Sequence, residues 1–196
     1  THKEKNIHIS EENIKHFMSS LNYPLYYLDF ETIDPAVPIF DRSRPYQKIP
    51  FQYSIHIQYE EGSTTHFEFL NDDNADPRPR LLEYLKNQIG TEGSVVVFNK
   101  TFEILVLNTL AKDYPEHKYW IENILTRIID LASPFRSFHY YNPSQKGSCS
   151  LKEVLPAMIG KDCYSELEIN NGKYASTLYF YSHIESKFEN KEEMPK

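Results

Sequence analysis

Cysteine is nearly missing from this sequence: its 196 residues hold Cys149 and Cys163 and no other. Two thiols cannot build a disulfide framework or a four-thiolate zinc site, and a reducing, cytoplasmic setting is the expectation. Glycine is also sparse, at six residues. Neither G-x-G-x-x-G nor a Walker-type loop occurs, so phosphate binding by a glycine-rich loop is excluded. Eight histidines are present, but H-x-x-H, H-E-x-x-H and Cys/His clusters are absent, which argues against zinc. Ser148, Cys149 and Ser150 follow Gly147 without a G-x-S-x-G pattern or a paired base. No apolar run approaches the roughly 18 residues of a membrane span, mean hydropathy is −0.59, and residues 1–20 are charged and polar. Positive charge is in deficit, with 21 Lys+Arg against 28 Asp+Glu and a net charge of −7. That balance argues against a broad nonspecific grip on phosphate backbones. It leaves room for a local basic groove or for an acidic cluster that holds cations.

What is abundant is aromatic and aliphatic. The chain is 40% hydrophobic, with 12 Phe and 15 Tyr, enough to fill one core of ordinary size over residues 1–196. Ser10 is an N-cap candidate for a helix over 11–20. Leu25 to Phe30 reads as a central strand, apolar on both faces. Residues 32–50 carry four prolines and form a long loop. Phe51 to Tyr59 alternates with period two, Glu60-Glu61-Gly62 turns the chain, and 63–70 returns as the second arm of a hairpin. Asp76-Pro77 opens a helix that Gly90 ends. A buried strand over 94–98, helices over 101–112 and 116–126 and a short strand over 127–131 follow. Ser150 and Glu153 have capping-box spacing. The tail after Asn171 carries no assignable pattern. Three antiparallel strands followed by αβ units predict an α/β fold, a mixed sheet flanked by helices, of the RNase H-like type.

Within this frame Asp29 and Glu31 stand two apart near the end of a hydrophobic strand, so the pleat turns both carboxylates to one face. Adjacent carboxylates repel and call for a cation, a shared proton or water. Mg²⁺ and Mn²⁺ prefer such hard oxygen ligands. An isolated D-x-E is a weak motif, and a strand end reaching solvent is its more ordinary explanation. About seventy residues on, Val96-Val-Phe-Asn-Lys-Thr-Phe-Glu103 ends a buried strand, turns at Asn99, and places Glu103 in the first helical turn, with Phe102 expected to pack inward. The helix dipole alone also favours an acid there. Asp130 closes a later strand, where it can line the same cleft or cap the next turn.

Here the chain resembles a known group. Asp29-x-Glu31 is similar to the first motif of the DEDD-type 3′–5′ exonucleases, and Asn99-Lys-Thr-Phe-Glu103 is similar to their second, with Glu in place of the usual Asp. Asp130 and Ser148 to Lys152 resemble the later strand and following helix. Leu28 to Thr32, Pro45-Tyr46, Pro50 to Ser54 with His56, Gly147-Ser148, Ser150 to Lys152 and Val154 to Pro156 resemble more closely a bacterial family of exonuclease-like domains of unknown function. That resemblance covers about residues 20–180. It implies an RNase H-like fold and divalent-metal nuclease activity, with Asp29, Glu31 and Glu103 catalytic and holding Mg²⁺ or Mn²⁺, and Asp130 a further metal contact. Thr32, Asn99, Phe102 and Lys152, with Arg42, Arg44 and Tyr46 of the proline-rich loop, are the expected substrate contacts. The loop's basic and aromatic residues can meet phosphates and bases, or the loop can simply pack over the sheet edge.

The superfamily's third motif, a Tyr or His shortly before a final Asp on a late helix, has no counterpart here. No Asp follows Asp162, and His183-Ile184-Glu185 is the nearest approach. With a first residue Thr1 and a charged end, the chain is expected to be a fragment of a longer protein lacking the last catalytic helix. Weak or single-metal occupancy follows from that shortage of ligands. The expected partner is a nucleic-acid substrate, without a membrane, and with further domains in the full protein. The alternatives are a catalytically incomplete module binding nucleic acid or a partner domain, and a carboxylate-metal hydrolase of a small phosphate ester.

Overall fold

The structure, a computed structural model, describes residues 6–161 and 171–184. Its centre is a five-stranded mixed sheet in the order β4-β3-β2-β5-β6, built from β2 (Leu25–Ile33), β3 (Ile49–Gln58), β4 (Thr64–Leu70), β5 (Ser94–Val97) and β6 (Ile128–Asp130). The hairpin β3–β4 and the pair β2–β3 are antiparallel, while β2–β5 and β5–β6 are parallel. This is the α/β architecture that the element order predicts. A separate two-stranded ribbon joins β1 (His8–Ile9) to β7 (Tyr140–Tyr141), with α1 (Glu11–Ser19) following β1.

The pleat decides which side of the sheet is core. Tyr26, Leu28 and Phe30 of β2, Tyr53, Ile55 and Ile57 of β3, and Val95 and Val97 of β5 are buried on one face. Against them pack Leu81, Leu82 and Leu85 of α2 (Pro77–Gln88), Val106, Leu107 and Leu110 of α3 (Thr101–Asp113), and Ile121 and Ile124 of α4 (Lys118–Thr126). Each such side chain contributes about 1.5–3 kcal/mol by leaving water. The expectation that β2 is apolar on both faces is therefore corrected. Tyr27, Asp29 and Glu31 alternate with the core residues and lie on a second, polar face that also carries Gln52, Ser54, His56 and Gln58. Among the described residues the core helices pack on the first face, and Asp29 and His56 of the second are exposed.

A smaller cluster of Ile33, Ile49, Phe51, Tyr179 and Ile184 closes the sheet end beyond Glu31. Tyr179 ends α7 (Gly172–Tyr179), and its ring lies 4.0 Å from Phe51 with the planes nearly parallel, a contact worth about 0.5–1.5 kcal/mol beyond burial. Asn71 donates to the Tyr179 hydroxyl at 2.9 Å, and the Ser176 hydroxyl donates to the Thr32 carbonyl at 2.7 Å. The sequence pattern does not reveal this helix because Gly172 opens it. Its start is signalled instead by Asn171, whose side chain accepts from the Tyr174 N–H at 2.9 Å. Elsewhere the caps differ from expectation. Asp76 caps α2 as predicted, but neither Ser10 nor Ser150 makes a side-chain cap at α1 or α6 (Leu151–Ile159).

The loop between β2 and β3 is pinned by Arg78, which is wholly buried. Its guanidinium donates to both Asp76 oxygens, to Asp113 Oδ2 at 3.1 Å and to the Asp41 carbonyl at 2.5 Å, tying the loop to the start of α2 and the end of α3. A buried charge is tolerated only when paired and hydrogen-bonded in this way. Replacing Arg78 by Met removes the donor to the Asp41 carbonyl and the buried cation beside Asp76 and Asp113, leaving Gln47 as the hydrogen-bond donor to Asp113 Oδ2. Denaturant unfolding of Arg78→Met is expected to show a loss of about 3–5 kcal/mol, and a loss under about 1 kcal/mol would contradict this role.

Candidate functional site

Three carboxylates approach one another where β2 and β5 end. Asp29 is open to solvent on the polar face, yet the protein around it displaces enough water to push its carboxyl above the ordinary range. Glu31 follows on the same face, half-buried, directly before a bulge where pairing shifts from Glu31–Gln52 to Thr32–Pro50. Pro50 has no N–H to offer, so the ladder is interrupted there. Burial raises the Glu31 carboxyl first, repulsion from Asp29 adds to it, and the Lys152 ammonium pulls it back. Lys152, in the first turn of α6, is thus near enough for its charge to act on Glu31.

Glu103 enters from α3 and is only 3% exposed. Its Oε2 has no hydrogen-bond partner. Burial, and then the charges of Asp29 and Asp130, push its carboxyl up to about 7 against a partial lowering by its own backbone N–H. The sequence reading sent Phe102 inward and turned Glu103 to the sheet's end. In the structure Phe102 does pack against the main core, half-buried and also lining a cavity, while Glu103 is more deeply buried still. Among the described residues no three His, Cys, Asp or Glu side chains stand close enough to hold one metal ion. The acids are electrostatic neighbours and do not form a closed cage.

Asp130 has another occupation. Its oxygens accept from the N–H groups of Asn99 at 3.0 Å, Lys100 at 3.3 Å and Ala132 at 3.0 Å, and from the Arg136 guanidinium. Burial opposes its ionisation, but these four donors together hold its carboxyl below the ordinary range. A carboxylate offers about four lone-pair directions, so all are used. The metal contact expected of Asp130 gives way to a structural one: it fastens the β5–α3 turn, and with it Glu103, to β6 and to α5 (Ser133–Arg136). Asn99 is exposed at that turn with φ 69°, a conformation Asn tolerates better than most residues.

The loop arginines are placed elsewhere. Arg42 donates to the Asp113 carbonyl at 3.1 Å, and Arg44 lies 3.6 Å from Asp113 Oδ1. Asp113 ends α3, ten residues and so about 15 Å from Glu103. Arg42 and Arg44 are thus corrected from substrate contacts to anchors of the loop. Tyr46, 72% exposed, stays near the site because its N–H donates to the Pro35 carbonyl at 2.9 Å, and Pro35 is part of the cavity wall. That cavity holds about 650 Å³ between Glu31, Thr32 and Phe102 on one side and Lys173, Ser176 and Tyr181 on the other. Lys48, paired with Asp34 at 2.6 Å, also lines it. Sequence reading missed the contribution of α7. The missing signal was long-range, since Asn171 and Gly172 mark a helix start but not what that helix covers. Glu185, in the weakest sequence candidate for a third motif, lies outside the described residues, as do Asp162 and Cys163.

Two-sided α/β sheets with acids at adjacent strand ends form a broad class, and within it this chain belongs to the family described as Domain of unknown function (DUF2779), whose profile matches residues 26–150. The match spans Asp29, Glu31, Glu103 and Asp130 and stops before Lys152 and α7. The chain is 33% identical over 175 residues to the Uncharacterized protein UU173 of Ureaplasma parvum, covering 77% of this chain and 25% of that protein. It is 26% identical over 171 residues to the Uncharacterized protein MG366 homolog of Mycoplasma pneumoniae, covering 78% and 26%. The chain spans about a quarter of the length of these relatives. Among the described residues no helix is long and apolar enough to cross a membrane.

Two predictions follow from the carboxylates. Because the folded Glu103 binds its proton more tightly than the unfolded chain, metal-free stability is present in full below about pH 4.5 and falls as pH rises to about 7. The loss is on the order of 3 kcal/mol, and urea unfolding across that range should show it in wild type and not in Glu103→Gln. Separately, a Cβ on Gly172 would stand 2.7 Å from Glu31 Oε2. Gly172→Ala must therefore displace Glu31 or α7, and a crystal structure of the variant with Glu31 unmoved and α7 in place would refute that contact.

Proposed function

We propose that this chain is the core of a divalent-metal-dependent nuclease, a 3′–5′ exonuclease acting on DNA or RNA. The observation that carries the reading is Glu103: a buried carboxylate with an unpartnered oxygen, raised by Asp29, at the end of the strand next to the Asp29–Glu31 pair. A hard cation is what such an arrangement lacks, and the donor set of carboxylate oxygens fits Mg²⁺ or Mn²⁺. Asp29, Glu31 and Glu103 would hold it once drawn together, because in the structure they do not stand close enough to share one ion. When bound, such ions activate water and stabilise the leaving oxygen of a phosphodiester.

The chain's own residues have definable tasks in this reading. Glu103 Oε2 stays without a donor while Asp130 accepts from the N–H groups of the β5–α3 turn. Lys152 offers an ammonium beside Glu31 to a phosphate. The cavity beyond Glu31 has the size and lining for a terminal nucleotide, with Phe102 and Tyr181 to meet a base and Lys48 and Lys173 to meet phosphate oxygens. Thr32 shapes the wall through its backbone, and Tyr46 lies at the rim.

A second reading has its own support. The absence, among the described residues, of three metal-ligating side chains within reach of one ion favours a noncatalytic module that binds nucleic acid or a partner domain. Hydrolysis separates the two. A protein of the relatives' full length, given Mn²⁺ and labelled single-stranded DNA and RNA, is expected to release nucleotides from the 3′ end. Asp29→Asn should lower the rate at least about a hundredfold. Equal cleavage by the variant, or none by wild type, would sink the nuclease reading.

A further inference from the structure

The open face of the sheet carries a second group of metal-ligating side chains, separate from the carboxylates. His56 of β3 and His66 of β4 are directly opposite one another. The Tyr59 N–H donates to the Ser63 carbonyl and the Asn71 N–H to the Phe51 carbonyl, each at 2.9 Å. Hydrogen-bonded pairs in this hairpin therefore fall at odd positions of β3, and His56–His66 is a non-hydrogen-bonded pair, the kind in which side chains come closest. Both residues are exposed, and their rings lie 4.2 Å apart at 22°.

The next residue along the face holds one ring in place. Ser54 Oγ lies 3.0 Å from His66 Nε2. If Ser54 accepts there, Nε2 carries the proton and Nδ1 keeps its lone pair, which is how a second partner prepares a histidine for a metal. Ser54 is paired across strands with Asp29 on one side and Glu68 on the other, so the neighbouring row is acidic and favours a dication. Imidazole nitrogens suit borderline transition metals and are poor ligands for Mg²⁺.

We propose that His56 and His66 form a bidentate surface site for a transition-metal dication such as Zn²⁺ or Cu²⁺, completed by water. With two protein ligands the site is exchangeable, and it is distinct from the carboxylate group in both ligand type and preferred ion. It does not depend on the nuclease reading.

The test is a titration of Cu²⁺ into the purified chain, followed by electron paramagnetic resonance. One equivalent should bind with the signature of two coordinated nitrogens, Zn²⁺ should compete for it, and a large excess of Mg²⁺ should not. His56→Gln and His66→Gln, both at the surface, should each weaken binding at least about tenfold by removing the chelate, with an unchanged thermal midpoint. Undiminished binding in both variants, a single-nitrogen signature in wild type, or displacement by Mg²⁺ would overturn the proposal.

Discussion

A carboxylate oxygen that is buried and finds no donor is an unfavourable thing for a protein to maintain, on the order of 1–3 kcal/mol or more for a charged group. Glu103 is in that position, with Asp29 and Asp130 adding repulsion. The surrounding structure is arranged so that it stays there. Four donors converge on Asp130 and none on Glu103 Oε2. The turn that delivers Glu103 is locked by those donors, and the first turn of α3 follows from it. Neighbouring acids with such different surroundings are driven apart in proton affinity, Asp130 downward and Glu103 upward. One is a fastening and the other a group in need of a proton or a cation.

The fold supports this division. Because β2 pairs antiparallel with β3 and parallel with β5, its Asp29 and Glu31 sit at the centre of the sheet and beside the strand that leads to Glu103. Among the described residues the core helices pack on one face, and Asp29 on the other is exposed. At the far side of Glu31, α7 is held by Tyr179 on Phe51, by Asn71 and by the Ser176–Thr32 contact. It closes a cavity instead of burying the carboxylates. The −7 net charge is partly this cluster.

How much of this was legible in sequence follows from interaction range. The D-x-E pair, its shared face and the order of strands are set by period-two alternation and nearby turn residues, and these were readable. So was the Asp76 cap, a contact two residues long. Arg42 and Arg44 looked like phosphate contacts because a basic, aromatic loop follows Asp29 directly. Their partner, Asp113, is about seventy residues away, and no local pattern announces it. Asp130 looked like a metal ligand for the same reason: the donors that occupy it come from Asn99, Lys100 and Arg136, and only the folded chain brings them together. The tail after Asn171 showed no assignable pattern, and only the folded chain reveals a helix whose first residue, Gly172, must lack a side chain beside Glu31.

The most direct measurement of the central claim is anomalous diffraction from crystals soaked in Mn²⁺. The account predicts one partly occupied ion between Asp29, Glu31 and Glu103, with Oε2 of Glu103 turned to it. Saturating Mn²⁺ with no density there, or an ion bound instead by Asp130, would contradict it.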